Sequence, residues 1–180
     1  MQDPVLSASN AQEKIRAILA ERAKVLARPT DTQTSESLQV VVFNLANEKY
    51  GIATDHVREV QPVRELTLVP CAPRFVVGVI NVRGTLYSVI DIRSFLGVAE
   101  KKIAETPQVI LVNWAGLEIG ILADDVKGAM SIPINEIKPP LAMQGATKEE
   151  FIQGVTKDML ILLNLPSLLG DERIIVHEEV

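Results

Sequence analysis

The chain has 180 residues, 47% apolar but only 4% aromatic, which is room for one domain or two small ones around an aliphatic core. A formal charge of −5 and a pI near 5.1 argue against nucleic acid or an anionic membrane as the main partner. The single cysteine, Cys71, excludes an internal disulfide and fits a reducing compartment. No basic region followed by an apolar run opens the chain, and the most apolar window, residues 109–123, is interrupted by Asn113, Gly116, Glu118 and Gly120. It is too short to cross a bilayer, so the expectation is a soluble, cytoplasmic protein without membrane insertion.

Residues 1–9 read as a disordered leader. From Asn10, Ile15, Ile18, Leu19, Val25 and Leu26 fall on one helical face, with Asn10 and Glu13 spaced as a capping box and Pro29 past the end. This amphipathic helix either packs on its own domain, frays, or docks on a partner. Residues 29–37 are polar and turn-rich, completing an N-terminal region over 1–37. Residues 38–45 and 50–53 read as strands around a turn, and Asp55 is placed to cap a short helix through Val60. Residues 65–69 look extended. Two β-branched runs, 76–82 and 85–92, are separated by Arg83-Gly84, a hairpin signal. Both runs are apolar on both faces, which predicts burial on both sides and a central place in the fold. A short helix over 91–96 stops at Gly97. Residues 171–180 form an acidic tail.

Compared with itself, the chain repeats. YGIATDHVREV from Tyr50 matches IGILADDVKGA from Ile119, FVVGV from Phe75 matches FIQGV from Phe151, and VIDIRSFLG from Val89 matches LLNLPSLLG from Leu162. The matches keep their order, so residues 38–97 and 107–170 are two copies of one β-rich unit. About five short strands per copy are too few for a sandwich, whereas closure into a small barrel removes exposed edges. The expected fold is therefore all-β, two small barrels packed together with a groove between them as the natural binding site.

No catalytic constellation emerges. His56 and His177 lie far apart in sequence, Cys71 has no Cys or His neighbour, and no Gly-rich loop precedes a long helix. Asp124-Asp125 is an acidic pair with cation-binding chemistry, but its counterpart Asp55-His56 makes Asp124 a repeated helix cap. Nothing assembles a base, a nucleophile and an oxyanion site, and no cofactor or metal is expected.

The segments VFNLANEKYGI from Val42, VREV from Val57, PRFVVGVINVRG from Pro73 and SVIDIR from Ser88 together resemble CheW, the bacterial chemotaxis coupling protein family. The likeness runs in order over residues 38–170 and excludes the N-terminal helix and the acidic tail. It implies two five-stranded SH3-like β-barrels and a non-enzymatic adaptor that joins transmembrane chemoreceptors to the CheA histidine kinase in membrane-attached arrays. By resemblance, a groove between the barrels receives the receptor's cytoplasmic signalling tip, with Val57, Glu59, Arg83, Gly120 and Val126 at matching positions. The kinase's regulatory domain binds barrel to barrel, at a region including Val60, Gly78 and Gly84, on a surface separate from the receptor's. Physically, Arg83 on a hairpin tip offers a rigid fork of donors to carboxylates or carbonyls. A solvated turn arginine, a surface ion pair at Glu59, and burial of Val57 and Val126 in their own barrels are the plainer readings. Ser88, where family members commonly carry proline, and Arg58 and Pro62 depart from the pattern and leave the receptor's identity open. Rival functions are an equivalent adaptor controlling pilus motility or another output, and a small-molecule sensor using the inter-barrel groove.

Overall fold

The computed structural model describes residues 36–99, 104–140 and 149–174, all within one compact unit, Glu36–Val180. The expected N-terminal helix and the last six residues of the acidic tail lie outside them. The strands are β1 (Ser37–Leu45), β2 (Glu48–Ala53), β3 (Val57–Pro62), β4 (Val76–Val82), β5 (Thr85–Ile90), β6 (Gln108–Trp114), β7 (Leu117–Ala123), β8 (Asp125–Pro133), β9 (Ile152–Val155) and β10 (Leu160–Leu163). Two short helices, α1 (Arg93–Leu96) and α2 (Leu165–Leu169), end the two copies. Gly97 stops α1 in the left-handed conformation (φ 68°), as its sequence position predicts.

Ten strands form two five-stranded sheets, β8-β1-β2-β10-β9 and β3-β6-β7-β5-β4. Exchanging each strand for its counterpart in the other copy (β1 for β6, β2 for β7, and so on) converts one order into the other. The duplication is thus a pseudo-twofold of the fold, down to the parallel pairs β2–β10 and β5–β7. Each sheet curls shut through a two-bond backbone bridge between its end strand and the segment trailing the opposite one. Thr67 and Val79 exchange N–H···O bonds of 2.9 and 2.8 Å, and Lys138 and Val155 do so at 3.0 and 2.8 Å. Two small barrels result.

The barrels do not coincide with the sequence copies. The first takes β1 and β2 from residues 38–97 and β8, β9 and β10 from residues 107–170; the second takes the complement. The chain crosses from one sheet to the other through a single 3-10 turn at Thr54–His56, and again at Asp124. So short a crossing does not fold β3 back onto β2, and β3 pairs instead with β6. The same pairing corrects the expected helix from Asp55 to Val60: Val57 and Val60 are β-branched or strand-forming residues whose packing against the core outweighs the cap signal. Asp124 likewise caps no helix, since β8 begins at the next residue.

Period-two alternation sorts the core into three clusters. Val40, Val42, Ile132, Leu160 and Leu162 fill the first barrel, while Ile80, Val82, Tyr87, Val89, Val109, Leu111 and Leu122 fill the second. The alternate residues of both sheets, including Val41, Phe43, Ile52, Ile110, Val112 and Ile121, join both helices in a larger cluster between the barrels. β1 and β6 are therefore buried on both faces, which explains their unbroken apolar runs. The β4–β5 hairpin is not central: β4 ends its sheet, and Thr85, Leu86 and Ser88 are exposed. Its outward face has no second layer to meet. Tyr50, fully buried, donates its hydroxyl to Glu48 Oε2 at 2.5 Å; burial first, then that bond, hold the phenol far above its usual titration range.

Candidate interaction surface

At the tip of the β4–β5 hairpin both turn residues have positive φ, Arg83 at 51° and Gly84 at 89°. Such a two-residue turn matches the right-handed twist of its strands, and the Asn81 side chain completes it by accepting the Gly84 N–H at 2.8 Å. The turn holds Arg83 out into solvent, with 81% of its side chain exposed, yet Nη2 lies 3.1 Å from Glu59 Oε2 on β3. Glu59's other oxygen accepts from Gln61 Nε2 at 2.6 Å. Two residues singled out from distant parts of the sequence are thus brought together as one ion pair.

Beside this pair a cleft of about 490 Å³ opens where β3 and β4 part, lined by Gln61, Arg64, Thr67, Val79, Asn81 and Leu86. It is bounded by the backbone bridge Thr67–Val79 and neighbours the ion pair through Gln61. The matching cleft of the first barrel, about 750 Å³, is lined by Val42, Gly128, Met130, Thr156, Asp158 and Leu160. There Gly128 stands where Glu59 does, and Met159, also at positive φ, stands where Arg83 does. The ion pair belongs to one barrel only.

Val57 opens β3 and Val126 is the second residue of β8, each just past a crossing. Both are half-buried and pack against the inter-barrel cluster rather than inside a barrel. Val126 N–H donates to Gln108 Oε1 at 2.7 Å, tying β8 of the first barrel to β6 of the second. Gly120 is buried, and a Cβ there would lie 2.5 Å from Val109 Cγ1, so the second barrel leaves no room for a side chain at this position. The residues matched to kinase contact do not separate cleanly from these. Gly84 adjoins Arg83 in the same turn, and Val60 adjoins Glu59 but faces the inter-barrel cluster. Gly78 is buried beneath Thr67, whose carbonyl oxygen would lie 2.5 Å from an added Cβ. The space between the barrels is itself mostly filled. An apolar groove of about 490 Å³ lies at its margin, lined by Phe75, Val76, Trp114, Leu117, Ile119 and Leu169, and none of the candidate residues lines it.

Sequence reasoning missed Arg93. Only 1% exposed, it forms ion pairs with Asp91 (2.8 Å) and Asp124 (2.5 Å). Asp124 in turn accepts the Ala46 N–H at 2.6 Å. The available signal was a lone cation inside the apolar motif VIDIRSFL. The same contacts account for Asp124, and Asp125 pairs with Lys127. Among the described residues no cluster of three or more His, Cys, Asp or Glu is arranged to hold a metal.

Comparison with known proteins defines the class. The sequence profile of the CheW-like domain matches residues 39–173, and the chain belongs to that family of chemotaxis adaptor and scaffold proteins. It is 28% identical over 145 residues to the chemotaxis protein CheW of Klebsiella aerogenes, covering 79% of this chain and 87% of that one. Protein FrzA of Myxococcus xanthus is 28% identical over 151 residues, covering 81% and 94%. The crystal structure of the scaffolding protein TtCheW from Thermoanaerobacter tengcongensis superposes with a TM-score of 0.66 at 31% identity, covering 76% of this chain and 90% of that one.

Proposed function

We propose that the chain is a non-enzymatic adaptor coupling the cytoplasmic signalling tip of a chemoreceptor to the regulatory domain of a CheA-type histidine kinase. It works in the cytoplasm, recruited to membrane-attached receptor arrays; no helix among the described residues is long and apolar enough to cross a membrane. Family membership supplies the class, and the exposed Arg83–Glu59 pair is the observation that carries the partner assignment. A turn that fixes its own backbone presents an exposed guanidinium, and its partner Glu59 keeps the bond from Gln61 when the pair opens. Exchange of that partner for a receptor carboxylate or carbonyl costs little, because an exposed ion pair is worth about 1 kcal/mol or less. Val57 and Val126 supply apolar contact. The kinase meets the end of the second barrel around Gly84, with Gly78 beneath Thr67 leaving room for that end to close and Val60 backing it from the inter-barrel side. Each interface is modest, and repetition in the array supplies avidity.

Calorimetric titration tests this. Wild-type protein binds both a receptor signalling-tip fragment and the kinase regulatory domain. Arg83→Glu weakens the receptor interaction at least tenfold, lowers kinase binding by much less although Gly84 adjoins it, and leaves folding stability within error. Binding of neither partner by the wild type, or equal loss of both in the variant, would sink the assignment.

A further inference from the structure

The two crossings between barrels are equivalent by duplication but are held differently. At the second, Asp124 sits between β7 and β8 with both carboxylate oxygens and its amide engaged: Oδ1 with Arg93 Nη2 at 2.5 Å, Oδ2 with Ala46 N–H at 2.6 Å, and its own N–H on Asn44 O at 3.0 Å. Arg93 belongs to α1, which follows β5 of the second barrel, whereas Asn44 and Ala46 belong to the β1–β2 hairpin of the first. The chain of contacts Arg93, Asp124, Ala46 therefore spans both barrels, and the Gln108–Val126 bond lies two residues further on. At the first crossing, Asp55 is exposed, and the positions equivalent to Arg93 and Asp91 are Pro166 and Asn164. Asn164 only caps its own helix, accepting the Ser167 N–H at 3.1 Å. Thr54 bonds Gln39 O at 3.3 Å, a contact within the first barrel.

We infer that Arg93 is a positioning residue: acting through Asp124, it pins the second crossing, and so the placement of Val126 between the barrels, while the first crossing at Thr54–His56 is left to adjust. A buried guanidinium is suited to this because its two terminal nitrogens fix two carboxylates in one plane, whereas an apolar side chain would fill the space without setting an angle. In its functional consequence the inference rests on the receptor-contact reading above; in its structural content it does not.

The test measures the inter-barrel distance in the isolated protein. In a Cys71→Ser background, spin labels at Ser88→Cys on β5 and Ser131→Cys on β8, both exposed positions, report one barrel against the other. The unaltered cluster gives a single narrow distance. The combination Asp91→Asn, Arg93→Met and Asp124→Asn, which replaces all three charged groups with uncharged ones and so strands no buried charge, at least doubles the width. Asp55→Asn at the first crossing leaves it unchanged. Asp124→Asn alone, which keeps an acceptor for Ala46, serves if the triple variant does not fold, and Arg93→Lys restores part of the narrowing. A role in packing alone lowers the melting temperature but does not alter the width, so an unchanged width in a folded variant overturns the inference. Titrating the broadened variant with the receptor fragment is a separate arm. Unchanged receptor affinity there counts against Val126 as a contact, not against the clamp.

Discussion

Glycine at matched positions of the two copies shows what single residues do here. Gly51 and Gly120 follow the aromatic or branched residue in YGIA and IGIL, and both face the inside of a barrel. A Cβ at Gly120 would meet Val109 Cγ1 at 2.5 Å and Val89 Cγ2 at 3.3 Å, both on β-branched side chains with little rotamer freedom. At Gly51 it would meet Leu162 Cδ2 at 2.9 Å, the far end of a more adaptable side chain. Gly120→Ala is therefore expected to lower the free energy of unfolding by roughly 2 kcal/mol and Gly51→Ala by clearly less, read from urea midpoints. Equal effects would mean that the interior of the second barrel is softer than its packing implies. The sequence repeat made both glycines visible, but not the direction in which they face. The resemblance matches Gly120 by its motif, which carries no such direction. Arg93 was hidden for the opposite reason: its partner Asp124 is 31 residues away, and no local pattern pairs them.

Closure of the barrels is a property of elements, and another repeated glycine makes it possible. At Gly78 the Thr67 carbonyl passes 2.5 Å from where a Cβ would stand, and at Gly154 the Lys138 carbonyl passes at 2.8 Å. Each segment can bridge its end strand only because no side chain intervenes. Gly78→Ala is expected to push Thr67 off β4, so hydrogen exchange at the Thr67 and Val79 amides accelerates at least tenfold while the Val109 and Leu111 amides in the centre of the sheet stay protected. Uniform acceleration would contradict a local opening. Kinase binding lost in such a variant is then an effect of an opened barrel end. β1, β2, β4 and β5 were legible as apolar or β-branched runs, and β6 and β7 only through the repeat, which sets them opposite β1 and β2. β3 and β8 were not. Their early residues carry a cap signal and charges (Asp55, Arg58 and Asp125, Lys127), and only pairing to distant strands makes them extended.

At the scale of the molecule, the duplicated sequence does not build two independent barrels. Neighbouring copies are expected to close on themselves because consecutive strands usually pair. Here crossings of one to three residues send the chain across before it can return. Each sheet consequently needs strands from both halves, and residues 36–103 expressed alone are expected to stay unfolded as a monomer. Mixed with residues 104–174, they regain dispersed amide resonances and one cooperative unfolding transition. A monomeric, folded half would refute the exchange of strands. The same exchange means that a force on one barrel reaches the other through covalent chain and the shared inter-barrel core, a useful property in a scaffold protein.

The most direct test of that scaffold role is reconstitution. Kinase autophosphorylation is measured with receptor-bearing membranes, with and without this chain, and with Arg83→Glu in its place. The account predicts that receptor control over the kinase, read as a ligand-dependent change in rate, requires the wild-type chain and is lost with the variant. Receptor control that persists without the chain, or that survives Arg83→Glu undiminished, would contradict it.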